Sequence, residues 1–353
     1  MKKIKKWIIA GILSALSLSA VNANDFFVSV APLYSFENGN VNEYIYRSND
    51  SKISEFLWDR KALSYLGFNV QGGWRFINLD ASCVWGIPKA SGEMENSSWD
   101  CSYNPFIKNK YFEYENKLED YFDLDTRVKF DIPVIRGWFN VRPYVGFGLT
   151  RYTMYADNSW GGQGVSENYA WNDKNNQARS YSKGQLHNDI RFTREIYDIF
   201  CGVDLRGTFF DRVTLDLGAN VSPFIWINAL QHNYLQNGRY YLDMMHGFFR
   251  SWNFEGTVEA KIWQGLSAGV GVNYSLLNLV TGDAYSSDKS DSGFEKNTDG
   301  TYCGCEASSW KVTLFARYRF DFGPTHTPRA RAAREKKEKA PKVRDGKVNV
   351  KVY

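Results

Sequence analysis

After its first 23 residues the chain has no run of 18 apolar residues, and its mean hydropathy is −0.45. A helix needs about 20 mostly apolar residues to cross a bilayer, so the sequence excludes a bundle of membrane-spanning helices. Histidine is scarce, with four residues, and the five cysteines form no second paired motif of the zinc-binding type. We therefore expect no metal site and no cofactor.

The chain does have a repeated alternation of apolar and polar residues with a period of two. Near its C-terminal end Val312, Leu314, Ala316, Tyr318, Phe320 and Phe322 alternate with Thr313, Phe315, Arg317, Arg319 and Asp321. The pattern returns at 68–75 and at 123–132. Successive side chains of a strand point to opposite faces, so each segment predicts a strand with one apolar and one polar face. Many long strands of this kind are typical of a barrel in lipid with a wet interior.

The pattern predicts ten strands joined by connections of alternating length. The strands fall near 25–37, 58–75, 78–87, 118–132, 139–154, 190–206, 213–226, 248–262, 266–279 and 309–322. Long polar segments fall near 38–57, 88–117, 155–189, 227–247 and 280–308, and the other connections are short. We predict an all-β fold, a transmembrane antiparallel up-and-down β-barrel with ten strands, long extracellular loops and short periplasmic turns. Aromatic residues are 16% of the chain, which suits the two aromatic girdles of such barrels.

Both ends of the chain differ in composition from the middle. Four Lys precede an apolar segment of about 14 residues and the small residues of Val21-Asn22-Ala23, which predicts a cleaved signal peptide over 1–23. The barrel is predicted over 24–323, in the outer membrane of a diderm bacterium with its loops facing the cell exterior. Residues 324–353 carry ten Lys and Arg against three Asp and Glu, which predicts a disordered periplasmic tail that contacts the cell wall.

The net charge of the predicted barrel indicates which partners it attracts. Without the two ends the chain has 29 Lys and Arg against 36 Asp and Glu, so the barrel is acidic. An acidic surface attracts cationic ligands, and we expect cationic peptides or host surface proteins, besides outer-membrane lipid, and no nucleic acid. Charged residues on the second strand faces, such as Asp125, Arg127 and Glu255, are expected to form ion pairs that fill a narrow lumen. A small diffusion channel is the alternative.

The cysteines leave one pairing open. Cys83 and Cys201 lie on predicted strands among apolar neighbours. Cys101 lies in the second long segment, and Cys303 and Cys305 lie in the fifth. In an oxidising compartment a disulfide from Cys101 to one of that pair is compatible with the sequence.

Several of these segments resemble the omptin family. The resemblance includes Glu43-Tyr44-Ile45-Tyr46, residues 52–58, Met94 to Trp99, residues 121–124, the Arg151-Tyr152 pair and His232 after Trp226, and it covers most of 25–322. Omptins are outer-membrane endopeptidases that cleave near basic residues in a cleft at the extracellular mouth of the barrel. The resemblance implies the same fold and an aspartate/histidine endopeptidase activity.

The resemblance also names candidate site residues. It implies a catalytic His232, and it places Asn96 and Ser98 where the family has two Asp. Asp100, one residue past Trp99, is a candidate substitute carboxylate. For substrate binding the family's acidic pair falls on Glu43, which is retained, and on Asn228, which is not acidic.

A further departure is Leu230, which stands where the family has the Asp that orients the histidine. A histidine base works best when a carboxylate fixes its tautomer and stabilises its charged form. Asp243 or Asp189 could supply that group in another register, through His246–Asp243 or His187–Asp189 pairs. Three function classes follow: a surface endopeptidase, a non-catalytic surface barrel that serves as an adhesin or structural protein, and a small porin.

Overall fold

A computed structural model describes residues 26–74, 76–101, 104–135, 138–186, 189–233, 238–288 and 293–322, with the backbone alone at 177–186. These residues form fifteen strands: β1 (Phe26–Tyr46), β2 (Lys52–Trp74), β3 (Ile77–Gly86), β4 (Lys89–Ser98), β5 (Lys110–Phe130), β6 (Ile132–Ile135), β7 (Phe139–Gly164), β8 (Gln177–Leu186), β9 (Ile190–Phe209), β10 (Val213–Asn233), β11 (Arg239–Gly247), β12 (Ser251–Trp263), β13 (Leu266–Ser287), β14 (Glu295–Lys296) and β15 (Tyr302–Phe322). No helix that could span a membrane occurs in these ranges. The predicted signal peptide (1–23) and basic tail (324–353) lie outside the described residues.

The strands close into a ring of ten antiparallel positions. The order around the ring is β1, β2, β3 with β4, β5, β7, β9, β10, β12 with β11, β13 and β15. Two positions are each shared by consecutive strands, because β3 and β4 both pair with β2 and β5, and β11 and β12 both pair with β10 and β13. β1 also pairs with β15, which closes the ring. The predicted fold class is therefore confirmed.

The strands are longer than the sequence pattern predicts. β1 continues to Tyr46 and β2 begins at Lys52, so most of the polar segment 38–57 is strand rather than loop. Strand also replaces predicted loop at β4 and the start of β5, at the end of β7, at the ends of β10 and β13, and at β11. These segments are rich in Asn, Ser and Gly, residues that favour turns. Pairing with neighbouring strands overrides that local preference, as it commonly does in sheets.

The strand halves next to the short turns expose an apolar belt to the outside. Leu79 is 58% exposed, Ile199 55% and Leu314 54%. Aromatic side chains border this belt at the short turns (Trp74, Trp138, Phe209, Trp263 and Phe322) and at its other margin (Tyr34, Trp85, Trp226, Tyr274 and Trp310). An apolar band between two aromatic girdles is how a barrel contacts a bilayer.

Inside the belt the lumen is charged and cross-linked. Lys129 lies 2.9 Å from Asp204 and 3.4 Å from Asp80, and Arg142 lies 3.1 Å from Asp204. Further ion pairs join Arg206 to Asp216, Arg127 to Glu255, and Arg317 to Glu259. These pairs line a cavity of about 420 Å³. The expected lumen network of cross-paired charges is therefore present.

The five cysteines are all unpaired, so the disulfide that the sequence left open does not form. The Cys101 thiol lies 3.4 Å from Asn168 Oδ1, and the Cys303 thiol lies 3.3 Å from the carbonyl oxygen of Asp283. Both thiols are buried, and each donates a hydrogen bond to the oxygen just named rather than pairing with another cysteine. Cys83 lies on β3 between Phe68 and Leu124 in register, covered by its neighbours.

Candidate functional site

Beyond the belt margin the barrel continues as a second region, which we call the extension. It comprises the described residues of 38–61, 89–121, 151–195, 227–246 and 279–308. All residues that the sequence proposed for a catalytic or substrate-binding site lie here, with the exception of His187, which lies outside the described residues. The extension therefore contains the candidate site.

The interior of the extension is a packed apolar core. Its members include Val41, Trp58, Met94, Tyr114, Met154, Phe192, Ile227, Ala229, Met245, Val280 and Ala284, each buried. Trp58 stacks on Phe192 with ring centres 5.0 Å apart. Burying one such side chain stabilises the fold by about 1.5–3 kcal/mol, so this core makes the extension a well-packed unit. It fills the space in which a peptide cleft would have to open.

Glu43 lies in this core and is held by an arginine from the opposite wall. Arg194 Nη2 lies 2.9 Å from Glu43 Oε1, and the two side chains are 0% and 6% exposed. β1 and β9 are five positions apart in a ring of ten, so the pair spans the barrel. Burial raises the pKa of Glu43, and the charge and hydrogen bond of Arg194 oppose that rise. Glu43 is thus paired with Arg194 of the same chain.

Asn96 and Ser98 also point inward, from β4. Asn96 is opposite Phe56 in the register, two residues from the buried Met94, and its side chain hydrogen-bonds the hydroxyl of Tyr114. An amide and a hydroxyl at these positions hydrogen-bond but do not accept a proton from water at neutral pH. These two side chains contribute to the wall of the core.

Asp100 stabilises the connection between β4 and β5 through an ion pair and hydrogen bonds. Its carboxylate lies 3.1 Å from Lys110 Nζ and accepts a hydrogen bond of 3.1 Å from Asn109 Nδ2. Its carbonyl oxygen accepts from Arg47 Nη2 at 3.0 Å. These contacts place Asp100 in a loop-anchoring role at the end of the extension.

His232 and Asn228 point out of the barrel because of a bulge in β10. Along the first part of β10 the even-numbered residues Asp216, Gly218 and Asn220 line the lumen. Between Val221 and Phe224, around Pro223, β10 gains one residue relative to β9. Beyond it the buried residues are the odd-numbered Ile225, Ile227 and Ala229, which turns the even-numbered residues outward. One extra residue flips every following side chain to the other face.

The contacts and the pKa of His232 are consistent with a side chain on the outer surface of the barrel. Its ring stacks on that of Tyr240 with centres 3.9 Å apart. Burial lowers the pKa of His232, a backbone hydrogen bond with Gly238 opposes this, and the nearby charge of Arg191 lowers it further. A histidine oriented by a carboxylate would have its pKa raised. Asn228 accepts a hydrogen bond of 2.8 Å from the exposed Trp226 Nε1.

The structure therefore does not bring the candidate residues together. β4 and β10 are four positions apart in the ring, with Asn96 and Ser98 facing inward and His232 and Asn228 facing outward. Of the alternative partners, Asp243 faces the interior while His246, three residues on, is exposed. Asp189 accepts a 2.6 Å hydrogen bond from Tyr155. In the described ranges no group of three or more His, Cys, Asp or Glu could hold a metal ion.

The fold is similar to that of the outer membrane protease OmpT from Escherichia coli, with a TM-score of 0.72 at 13% identity over 84% of this chain and 97% of that chain. The translocator domain of the autotransporter NalP from Neisseria meningitidis matches with a TM-score of 0.31 at 7% identity, over 90% of this chain and 97% of that one. The sequence matches no family model and no curated protein. The likeness to OmpT shows the fold, which is that of a bacterial outer-membrane β-barrel.

Proposed function

We propose that this protein is a non-catalytic cell-surface barrel of the outer membrane, an adhesin or structural protein, with the extension facing the cell exterior. The packed apolar core of the extension is the observation that carries this proposal. Peptide hydrolysis needs a base, a water molecule and the scissile bond within hydrogen-bond reach of one another. Here the candidate base His232 and the inward-facing Asn96 lie on opposite sides of the barrel wall, with the core between them.

The outer face of the extension supports a binding role. Glu95 on β4 is directly opposite Glu113 on β5, and Glu93 is opposite Glu115. Like charges directly opposite each other destabilise a sheet, so this acidic row costs stability. Burial raises the pKa of Glu95, and Glu113 adds to that rise while Lys108 opposes it.

The same face holds ammonium groups on aromatic rings. Lys52 Nζ lies 4.5 Å from the ring centre of Trp99, and Lys108 Nζ lies 5.2 Å from it. Cations are attracted to such ring faces by about 0.5–1 kcal/mol at exposed sites. The chain's own lysines thus cover the Trp99 ring, and the carboxylates of the acidic row are the groups that suit a lysine-rich partner, in line with the expected preference for cationic peptides or host surface proteins.

A surface endopeptidase is the second candidate. Two observations favour it: the TM-score of 0.72 with a protease of the outer membrane, and an acid, Glu43, in the interior at the position that the omptin resemblance names. For this activity the core would have to open and β10 would have to turn His232 inward. Both changes would break the register that the bulge near Pro223 sets.

A cleavage assay separates the two functions. Refolded full-length protein in lipid is incubated with a fluorogenic dibasic peptide, beside His232→Ala and beside an omptin that cleaves the peptide. We expect the protein and His232→Ala to give the same background rate. Cleavage that exceeds this background and disappears in His232→Ala would overturn the proposal and establish the endopeptidase.

A binding measurement tests the surface role. The doubly substituted Glu95→Gln/Glu113→Gln barrel should bind a lysine-rich peptide several-fold more weakly at low salt, because the attraction of a cationic partner to the row is electrostatic. Asp283→Asn, on another wall and paired with Lys296, serves as the matched control. Equal affinity of all three proteins would contradict the proposed partner.

A further inference from the structure

A line of aromatic rings crosses the outer face of the extension, and the proposed function leaves most of it unassigned. The rings come from β15, β1, the residue after β4, β5 and the segment after β7, with β2 between β1 and β4. Neighbouring strands lie about 4.8 Å apart, so the four steps from β15 to β5 cover roughly 19 Å of the wall. We call the following residues the aromatic track: Tyr302, Tyr46, Tyr44, Trp99, Tyr111 and Trp171.

The first half of the aromatic track is continuous from β15 to the end of β4. Tyr46 stacks on Tyr302 with ring centres 5.0 Å apart, and the ring of Tyr44 follows at 5.7 Å from that of Tyr46. The ammonium group of Lys52 on β2 joins this half to the next ring. Lys52 Nζ lies 5.4 Å from the ring centre of Tyr44 and 4.5 Å from that of Trp99.

The second half is held in the same way. Lys108 Nζ lies 5.2 Å from the ring centre of Trp99 and 5.1 Å from that of Tyr111. Trp171 packs on Tyr111 with ring centres 4.9 Å apart, and its backbone N–H donates to the carbonyl oxygen of Lys108 at 3.0 Å. Trp160, which is 36% exposed, contacts Tyr111 edge-on at 6.1 Å. Each ring is fixed by its neighbours, so a ligand would find the surface already ordered.

The aromatic track faces water, far from the lipid. Along β1 Glu43 and Ile45 contact the core, so the residues between and after them, Tyr44 and Tyr46, face outward. Tyr34, which borders the belt, precedes Tyr44 by ten residues, or about 33 Å of strand at about 3.3 Å per residue. The rings of the track are therefore not part of an aromatic girdle at the membrane margin.

Groups that donate and groups that accept hydrogen bonds border the rings. The donors are the ammonium groups of Lys52 and Lys108. The acceptors are carboxylates, each already in contact with a residue of the track or with Lys52: Asp50, Glu55, Glu113 and Glu306. These carboxylates outnumber the two ammonium groups, so the border repels a polyanion. The ammonium groups also occupy the cation positions over Trp99, which leaves little attraction for a lysine side chain there.

We propose that the aromatic track binds an extended, neutral oligosaccharide. The faces of sugar rings carry C–H groups, which pack on the negative faces of aromatic rings. The edges of sugar rings carry hydroxyl groups, which both donate and accept hydrogen bonds and so match the mixed border of carboxylates and ammonium groups. This site names a partner for the proposed surface barrel and rests on that function, because it needs the extension to face the cell exterior.

A titration with neutral oligosaccharides tests the site. Refolded full-length protein in lipid is titrated with the hexasaccharides of N-acetylglucosamine, glucose and mannose and with the matching disaccharides, and binding is read by calorimetry. We expect at least one hexasaccharide to bind about tenfold or more tightly than its disaccharide, because it contacts several rings at once. Its affinity should be the same at low and high salt, since the ligand is uncharged. No binding of any hexasaccharide, or equal affinity for the disaccharide, would overturn the proposal.

Variants at the two ends of the track make the test specific. Tyr46→Ala and Trp171→Ala should each weaken binding of that hexasaccharide by about fivefold or more, whereas Tyr46→Phe keeps the ring and should bind as the wild type does. Tyr240→Ala is the matched control, because Tyr240 lies on β11 outside the track and stacks on His232. Unchanged affinity in both end variants, or an equal loss in Tyr240→Ala, would contradict the site.

The outcome is separate from that of the cleavage assay. Cleavage of the dibasic peptide would overturn the proposed non-catalytic function and leave the oligosaccharide site standing. Absence of oligosaccharide binding would overturn the site alone.

Discussion

The two halves of the barrel have opposite polarity, although most of the strands run through both. In the belt Leu314 points outward and is exposed, while Lys129 and Asp204 pair inside. In the extension Ile227 is buried inside, while the acidic row points outward. Lipid requires an apolar exterior, and water permits a polar one over an apolar core. The alternation of the strands is common to both halves, and the surrounding solvent decides which face carries which residues.

Irregular segments occur in several strands between their belt part and their extension part. β10 bulges between Val221 and Phe224, β13 bulges between Leu277 and Val280, and the shared position of β12 and β11 is interrupted between Gly247 and Ser251. Each extra residue exchanges the inward and outward sets of side chains along the rest of its strand. The neighbouring strands β9 and β15 do not gain a residue at these points, so β10 shifts relative to β9 and β13 shifts relative to β15.

The largest expected effect comes from a charge placed in the core of the extension. Ile227→Asp puts an unpaired carboxylate at a position with 0% exposure and should destabilise the extension by about 3–5 kcal/mol. Denaturant unfolding in lipid, followed by hydrogen exchange of the extension, measures the loss. Asn228→Asp, one residue along and facing outward, should change stability by less than about 0.5 kcal/mol. Equal effects of the two substitutions would contradict the assignment of inside and outside.

A smaller effect is expected when a charge is placed on the outside of the belt. Leu314→Arg puts a cation on the face that contacts lipid and should cost about 2–4 kcal/mol if the position is near the midplane. Thr281→Arg, on the exposed outer face of the extension, should cost less than about 0.5 kcal/mol. Reversible unfolding in bilayers gives both values. If Leu314→Arg costs as little as Thr281→Arg, the outer face of the belt does not differ from that of the extension, and the account is contradicted.

The smallest effect concerns the acidic row. Glu95→Gln removes one of two carboxylates that are directly opposite each other and should stabilise the sheet by about 0.5 kcal/mol at low salt. The gain should shrink as salt screens the repulsion. Glu306→Gln offers a contrast, because Glu306 accepts a hydrogen bond of 2.5 Å from Tyr44 and its loss should destabilise. A destabilising Glu95→Gln would indicate that the row is not repulsive.

The sequence predicts the belt well because its signal is local. Leu314 and its alternate neighbours are apolar while Thr313 and Arg317 are polar, and that pattern alone defines a lipid face and a lumen face. In the extension the outward positions are Asn, Glu and Tyr, and the inward ones mix apolar residues with Glu43 and Asn96. The sequence of such a segment is similar to that of a loop, which is why the pattern does not predict strands at 38–57 and 227–247.

The candidate site is harder to predict because it depends on register and on distant contacts. Whether His232 faces in or out is decided by one inserted residue near Pro223. That proline was a usable signal, since proline within a sheet is confined to edges and bulges. Arg194 stands between the inward-facing Phe192 and Ile196, which marks it as an inward charge. Nothing local identifies its partner Glu43, which is 151 residues away in the chain.

The packing of the extension can be tested through its own thiols. Cys303 and Cys305 face its core with 0% exposure, and burial raises the pKa of both. A water-soluble thiol reagent is applied at neutral pH to the folded barrel, and the modified residues are located by mass spectrometry, with Thr281→Cys as the exposed reference. We predict that both cysteines stay unmodified until the barrel is unfolded, while the reference reacts at once. Modification of Cys303 or Cys305 in the folded barrel at the rate of the reference would show an open cleft in place of the core.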